Sequence, residues 1–182
     1  MRAIETVATV EIPDGVEGTL DGRVVTIRGE KGALTRDFSH APVTIRLEGK
    51  AGTVQASWPR KKEAALVGTV RSHIKNMIKG VTTGFTFKMK IVFSHFPITV
   101  KIQGKNFIIT NFTGERSPRK AKIMGDTKII IKGDDIIVQG INLEDVSQTA
   151  ANIQNSTKIR SKDPRVFLDG IYVYEKHEGL EQ

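Results

Sequence analysis

The chain has 182 residues, with 28 Lys/Arg against 20 Asp/Glu, a net charge of +8 at pH 7 and no cysteine. That length suits one large domain or two small ones, and the 38% hydrophobic share suits a folded chain rather than a charged disordered tail. Missing cysteine excludes a disulfide framework and a thiolate zinc site, and the cationic surplus favours polyanionic partners, nucleic acid ahead of an acidic membrane.

The opening "MRAIETVATVEIPDG" holds no apolar core of signal-peptide length. No later run approaches the roughly 18–20 apolar residues that span a bilayer. An intracellular, cytoplasmic protein is the expectation. Val24-Val25-Thr26-Ile27 is a β-branched run and predicts a strand, with turns at "LDGR" (20–23) and "EGKAG" (48–52). The glycines of "RGEKGA" follow a strand and precede another strand, so no phosphate cradle is expected there. Val67, Val70, Ile74, Met77 and Ile78 share one face of a predicted helix, which Gly80 is expected to stop as a left-handed cap. Phe107-Ile108-Ile109-Thr110 predicts another strand, and "KGDD" (132–135) another turn. Val146, Ala150 and Ile153 stripe a second helix, with Asn142 as N-cap and Glu144 and Asp145 in its first turn. In the closing strand Tyr172 and Tyr174 share one side and Ile171 and Val173 the other. Val166, Leu168, Ile171 and Val173 are expected to serve the core.

The second half repeats the order of the first. Val54-Gln55-Ala56 falls opposite Val138-Gln139-Gly140 at an offset of 84, and "LVGTVRSHI" (66–74) opposite "DVSQTAANI" (145–153) at an offset of 79. The fold class is therefore α+β: two tandem homologous domains, each a small, mostly antiparallel sheet packed with one main helix. We place them at residues 1–82 and 83–182. The charge surplus is shared, with 13 cations against 9 acids in residues 1–84 and 15 against 11 in residues 85–182.

Motifs for catalysis are thin. The four histidines, His40, His73, His95 and His177, form no metal-binding pair at helical spacing. Acid pairs such as Asp134-Asp135 lie in turns. No enzyme activity, metal or cofactor is expected. The cations form clusters instead. Arg60, Lys61 and Lys62 stand at a helix N-terminus beside Trp58-Pro59, where positive charge opposes the helix dipole and suggests an external anion. Arg71, Lys75 and Lys79 form a stripe at four-residue spacing, for which a solvated face is the competing reading. "GERSPRKAK" (114–122) is a loop or edge strand carrying Arg116, Arg119 and Lys120, and edge cations also serve to block aggregation. "KIRSKDPRVF" (158–167) carries Lys158, Arg160, Lys162 and Arg165. Helix capping accounts for the first of these but not for Lys162 and Arg165, which lie beyond the helix end.

The strings "HIKNMIKGVTTGF" (73–85), "SHFPITV" (94–100), "NFTGERSPRKAKI" (111–123), "SQTAANIQ" (147–154) and "KDPRVFLDGIYV" (162–173) resemble the archaeal and eukaryotic branch of the large-subunit ribosomal protein six family, in order and over essentially the whole chain. The resemblance implies a structural constituent of the large ribosomal subunit, with ribosomal RNA as partner near the sarcin–ricin loop, and neighbouring ribosomal proteins and translational GTPase factors close by. It implies one copy per ribosome and no homo-oligomer. The C-terminal domain is then the main RNA reader, through Lys158, Arg160, Lys162, Arg165 and Tyr172 and through Arg116, Arg119 and Lys120. Arg60, Lys61, Lys62 and Lys75 are additional candidates from the basic clusters. The competing class is a minor-groove DNA-bending saddle like TATA-binding protein, of similar length and also duplicated. It needs paired phenylalanine wedges in both repeats, and Phe93 and Phe96 have no counterparts near "TVEI" (9–12).

Overall fold

The computed structural model describes residues 4–159, 162–163 and 165–181. It divides into two compact units, one ending at Thr83 and one beginning at Gly84. The first unit runs β1 (Glu5–Glu11), β2 (Glu17–Asp21), β3 (Val24–Gly29), β4 (Gly32–Asp37), β5 (Thr44–Glu48), β6 (Ala51–Ser57) and α1 (Lys61–Thr82). The second runs β7 (Phe85–Val92), β8 (Thr99–Gln103), β9 (Asn106–Thr110), β10 (Arg119–Lys122), β11 (Lys128–Lys132), β12 (Asp135–Gly140), α2 (Leu143–Ser156) and β13 (Gly170–Glu178).

The repeat is explicit in the pairing. Sheet β1-β6-β5 of the first unit corresponds to β7-β12-β11 of the second, and β2-β3-β4 to β8-β9-β10. Every pairing is antiparallel. Each unit therefore holds two small sheets and a helix, where the sequence pattern suggested one sheet. Short β-branched runs separated by tight turns make hairpins easily, but nothing in them states which hairpins join into one sheet. The turns are as expected, with Gly22, Gly49 and Gly133 at positive φ. Among the described residues the second unit also has a strand without a counterpart: β13 pairs along β7 from Gly170 opposite Val92 to Glu178 opposite Phe85, with a bulge between Val173 and Glu175.

Equivalent positions are buried in both copies. Val54 and Val138 are fully buried, as are Val67 and Val146, and Ile74 and Ile153. Each unit has its own core, Val25, Ile27 and Phe38 under α1 in the first, and Phe107, Ile109 and Ile171 under α2 in the second. The apolar stripes of both helices face inward as their periodicity predicted.

Gly80 does not end α1. The helix continues through it to Thr82, and the left-handed residue is Gly84, at φ +80°. A helical glycine costs about 1 kcal/mol relative to alanine. Burial of the next residue, Val81, offsets that with about 2 kcal/mol, since Val81 is fully buried and its carbonyl accepts from Lys31 N–H at 3.0 Å. Asn142 caps α2 as expected: its side-chain oxygen accepts from Glu144 N–H at 3.1 Å, and its amide donates to Asp145 at 2.9 Å. Asn142→Ala is expected to destabilise the second unit by about 1 kcal/mol. Amide hydrogen exchange through the first turn of α2 will report it.

Candidate nucleic-acid interface

Residues 165–169, just ahead of β13, do not extend the strand. Asp163 builds a turn there: its side chain accepts from Arg165 N–H at 2.9 Å, and its carbonyl accepts from Val166 N–H at 3.2 Å and Phe167 N–H at 3.0 Å. Strand alternation therefore begins only at Gly170. Val166 and Leu168 are 58% and 55% exposed, against the expectation that they serve the core. Ile171 is fully buried and Val173 half-buried, while Tyr172 and Tyr174 face out.

A buried acid anchors this segment. Asp169 is 2% exposed, and its carboxylate accepts from Ser94 N–H at 2.7 Å, His95 N–H at 3.2 Å and the His95 ring at Nδ1 at 2.8 Å. Burial by itself pushes the carboxyl upward, but the Ser94 amide and the two His95 contacts outweigh it and bring it down to about 2. The His95 ring stacks on Phe167 with centroids 4.5 Å apart, and Lys162 Nζ lies 4.3 Å from the Phe167 centroid. Asp169, His95, Phe167 and Lys162 thus form a continuous prop that fixes an exposed cation from below.

Arg119 joins this segment to the 114–122 loop. Its guanidinium donates to both Glu115 carboxylate oxygens, at 2.8 and 2.5 Å, and to the carbonyl of Ser156 at 2.8 Å, while lying 4.3 Å from the Phe112 centroid. Arg119 holds the Glu115 carboxyl below its ordinary value, and Lys162 adds to this at longer range. The guanidinium is largely occupied by the fold. Arg116 and Lys120 are exposed, and Lys120 stands on β10, an edge of its sheet.

Lys158, Lys162 and Arg165 are exposed; Arg160 lies outside the described residues. Tyr172 is 43% exposed, with its hydroxyl donating to Leu168 O at 3.2 Å and its ring folded over Gly170. Tyr172 and Phe167 line a groove of about 310 Å³ with Lys158, Gln154, Asn155 and Thr157. Sequence reasoning missed the inward-pointing members of this surface, Asp169, His95 and Phe167. Residues 94–95 and 169 are far apart in the chain, and no local pattern links them. For Arg119 the signal was no better: four-residue spacing from Glu115 brings side chains together on a helix, and Arg119 begins strand β10.

In the first unit Arg60, Lys61, Lys62 and Lys75 are all exposed. Arg60 is the N-cap of α1, and its N–H donates to Glu63 at 2.6 Å, so an acid in the first turn offsets the cations there. Trp58, just before them, is 62% exposed at φ +50°. Among the described residues no group of three or more His, Asp or Glu is placed to hold a metal.

A twice-used α+β scaffold, with cations on loops and edges propped by buried partners, defines a basic binding scaffold. The model of the Ribosomal protein L6 family matches residues 12–84 and 96–170, one segment in each unit. The chain is 51% identical to the large ribosomal subunit protein uL6 of Aeropyrum pernix, over 96% of this chain and 97% of that one. It is 53% identical to the uL6 of Methanosphaera stadtmanae, over 93% and 92%. The uL6 of Desulfurococcus amylolyticus is 50% identical over 98% and 99%. The chain belongs to the ribosomal protein L6 family, and so to the proteins of the large ribosomal subunit rather than to enzymes or DNA-bending saddles.

Proposed function

We propose that this protein braces large-subunit ribosomal RNA near the sarcin–ricin loop, beside the site where translational GTPase factors dock, and does so mainly through its second unit. The observation that carries this reading is the stitched surface of that unit. Arg119 ties the 114–122 loop to the end of α2, and Asp169 ties the residues just before β13 to the loop that follows β7 through Ser94 and His95. Arg116, Lys120, Lys158, Lys162 and Arg165 then stand exposed on one unit, with Tyr172 among them. Fixed cations suit phosphate contacts, which position a protein on RNA without reading bases. Tyr172, half-exposed beside Lys158, suits stacking on an unpaired base or sugar. Arg119 acts as a positioning residue. Arg160 belongs to the same run in sequence. Arg60, Lys61 and Lys62 beside exposed Trp58 offer a smaller contact from the first unit.

The protein acts as a single copy among neighbouring large-subunit proteins, in the cytoplasm, without a cofactor. The location at the sarcin–ricin loop rests on the family resemblance.

Changing Arg160, Lys162 and Arg165 together to glutamine is expected to weaken binding to a large-subunit RNA fragment at least tenfold near 0.1 M salt. The magnitude of the log K against log salt slope should fall by about 2–3, close to one unit per phosphate contact. Filter binding across a salt series measures both. Unchanged affinity and slope would remove this segment from the interface.

A further inference from the structure

The two units differ at one sheet edge. The backbone of β1 bonds to β6 through the residue pairs that include Ile4–Trp58 and Ile12–Lys50, with N–H to O distances of 2.8 and 2.9 Å. Antiparallel pairs alternate, so Glu5, Val7, Thr9 and Glu11 direct their N–H and C=O groups away from β6. Among the described residues β1 pairs with β6 alone. The repeat places Val7, Thr9 and Glu11 at the positions of Thr86, Lys88 and Lys90 on β7. There the outward groups are used by β13, which lies opposite them as His177, Glu175 and Tyr172.

The neighbouring helix faces also correspond. The offset of 79 sets Arg71 at the place of Ala150 and Lys75 at that of Gln154. Gln154 accepts from Val173 N–H at 3.2 Å, so in the second unit this helix face already contacts the added strand. In the first unit the same space is a groove of about 390 Å³, lined by Thr9, Val10, Glu11, Arg71, Lys75, Ile78 and Lys79. Arg71 Nε donates to the Thr9 carbonyl at 2.9 Å, an outward acceptor of the free edge.

We propose that the β1 edge of the first unit receives an extended segment of another protein as a fourth strand. The segment carries acidic residues at every second position. Main-chain bonds to Val7, Thr9 and Glu11 would hold it in the way β7 holds β13. Side chains on its helix-facing side would meet Arg71 and Lys75, which select carboxylates. Those on the other side would meet Val7, which is 50% exposed, and suit an apolar residue. Lys75 then faces a carboxylate rather than a phosphate.

The test uses the full chain and a capped peptide of four Val-Glu repeats, with a Val-Lys peptide as control, followed by amide shifts in NMR. The Val-Glu peptide should perturb the Glu5, Val7, Thr9 and Glu11 amides and bind at least tenfold more tightly than the control. Thr9→Pro removes an outward N–H that β6 does not use and should weaken binding at least tenfold. Arg71→Glu with Lys75→Glu should reverse the peptide preference, which keeps the test decisive if the proline variant folds poorly. Equal binding of both peptides, or no shift at millimolar peptide, overturns the proposal. Self-pairing seen as concentration-dependent sedimentation overturns it in favour of a second copy. Loss of about one unit of RNA salt slope on Lys75→Gln overturns it in favour of RNA.

Discussion

Asp169→Ala is expected to destabilise the second unit by about 3 kcal/mol, within the range for removing the acceptor of a buried, charge-assisted network. Three donors lose their partner at once: the Ser94 and His95 amides and the His95 ring. The loss should appear in urea unfolding and, locally, as faster exchange of the Ser94 and His95 amides. Asp169→Asn keeps one carbonyl oxygen for the two amides and should cost less. Under the proposed function both changes are expected to weaken RNA binding as well, because His95 stacks on Phe167 and Phe167 carries Lys162. RNA affinity should fall under conditions where the variants are still folded. A destabilised variant with unchanged RNA affinity would separate this prop from the interface.

The same carboxylate sets an acid limit. Its folded value of about 2 lies below the ordinary carboxyl value of 3.8. Because the folded value is depressed, the contribution is fully present above about pH 4 and is lost as pH falls through about 2. The separation corresponds to about 2 kcal/mol at neutral pH. In Asp169→Asn that part of the acid dependence should vanish, and stability curves between pH 4 and 2 should flatten relative to the wild type.

What the sequence could show was local. Val146, Ala150 and Ile153 repeat at helical spacing and Asn142 precedes them, so α2 and its cap follow from adjacent residues. The duplication was legible because one element order occurs twice, and the strand and helix offsets coincide with equivalent buried positions. Pairing between hairpins was not legible, and neither was the identity of the acid that anchors the residues before β13. Asp169 sits in "FLDG" like any turn residue; its partners, Ser94 and His95, lie across the fold. Gly80 misled for the opposite reason. A local stop signal of about 1 kcal/mol was overridden by burial of Val81, which only the packed unit supplies. Val166 and Leu168 misled because they are apolar and stand just before β13, where a turn made by Asp163 leaves them exposed.

Arg119 and Lys120 are adjacent cations in one basic run, and the structure separates their work. Arg119→Ala removes a bidentate bond to Glu115, a bond to the Ser156 carbonyl and the contact over Phe112. Glu115 is then left without its main partner. Charge-assisted bonds of this kind contribute about 1.5–3 kcal/mol each when buried. Arg119 is only partly buried, so a loss of about 2 kcal/mol is the expected total, read by urea unfolding. Lys120→Ala removes an exposed side chain on an edge strand and should change stability by less than about 0.5 kcal/mol. RNA binding should respond in a different pattern. Lys120→Ala should lower the salt slope by about one unit with stability intact, as for a single phosphate contact. Arg119→Ala should reduce affinity further, because the 114–122 loop and the end of α2 lose their tie. Arg119→Lys should not restore it, since an ammonium cannot make the paired bonds to Glu115 and reach Ser156 together. Full rescue by lysine would show that Arg119 contributes charge alone, and the stitched surface would then not be what orders the RNA contacts.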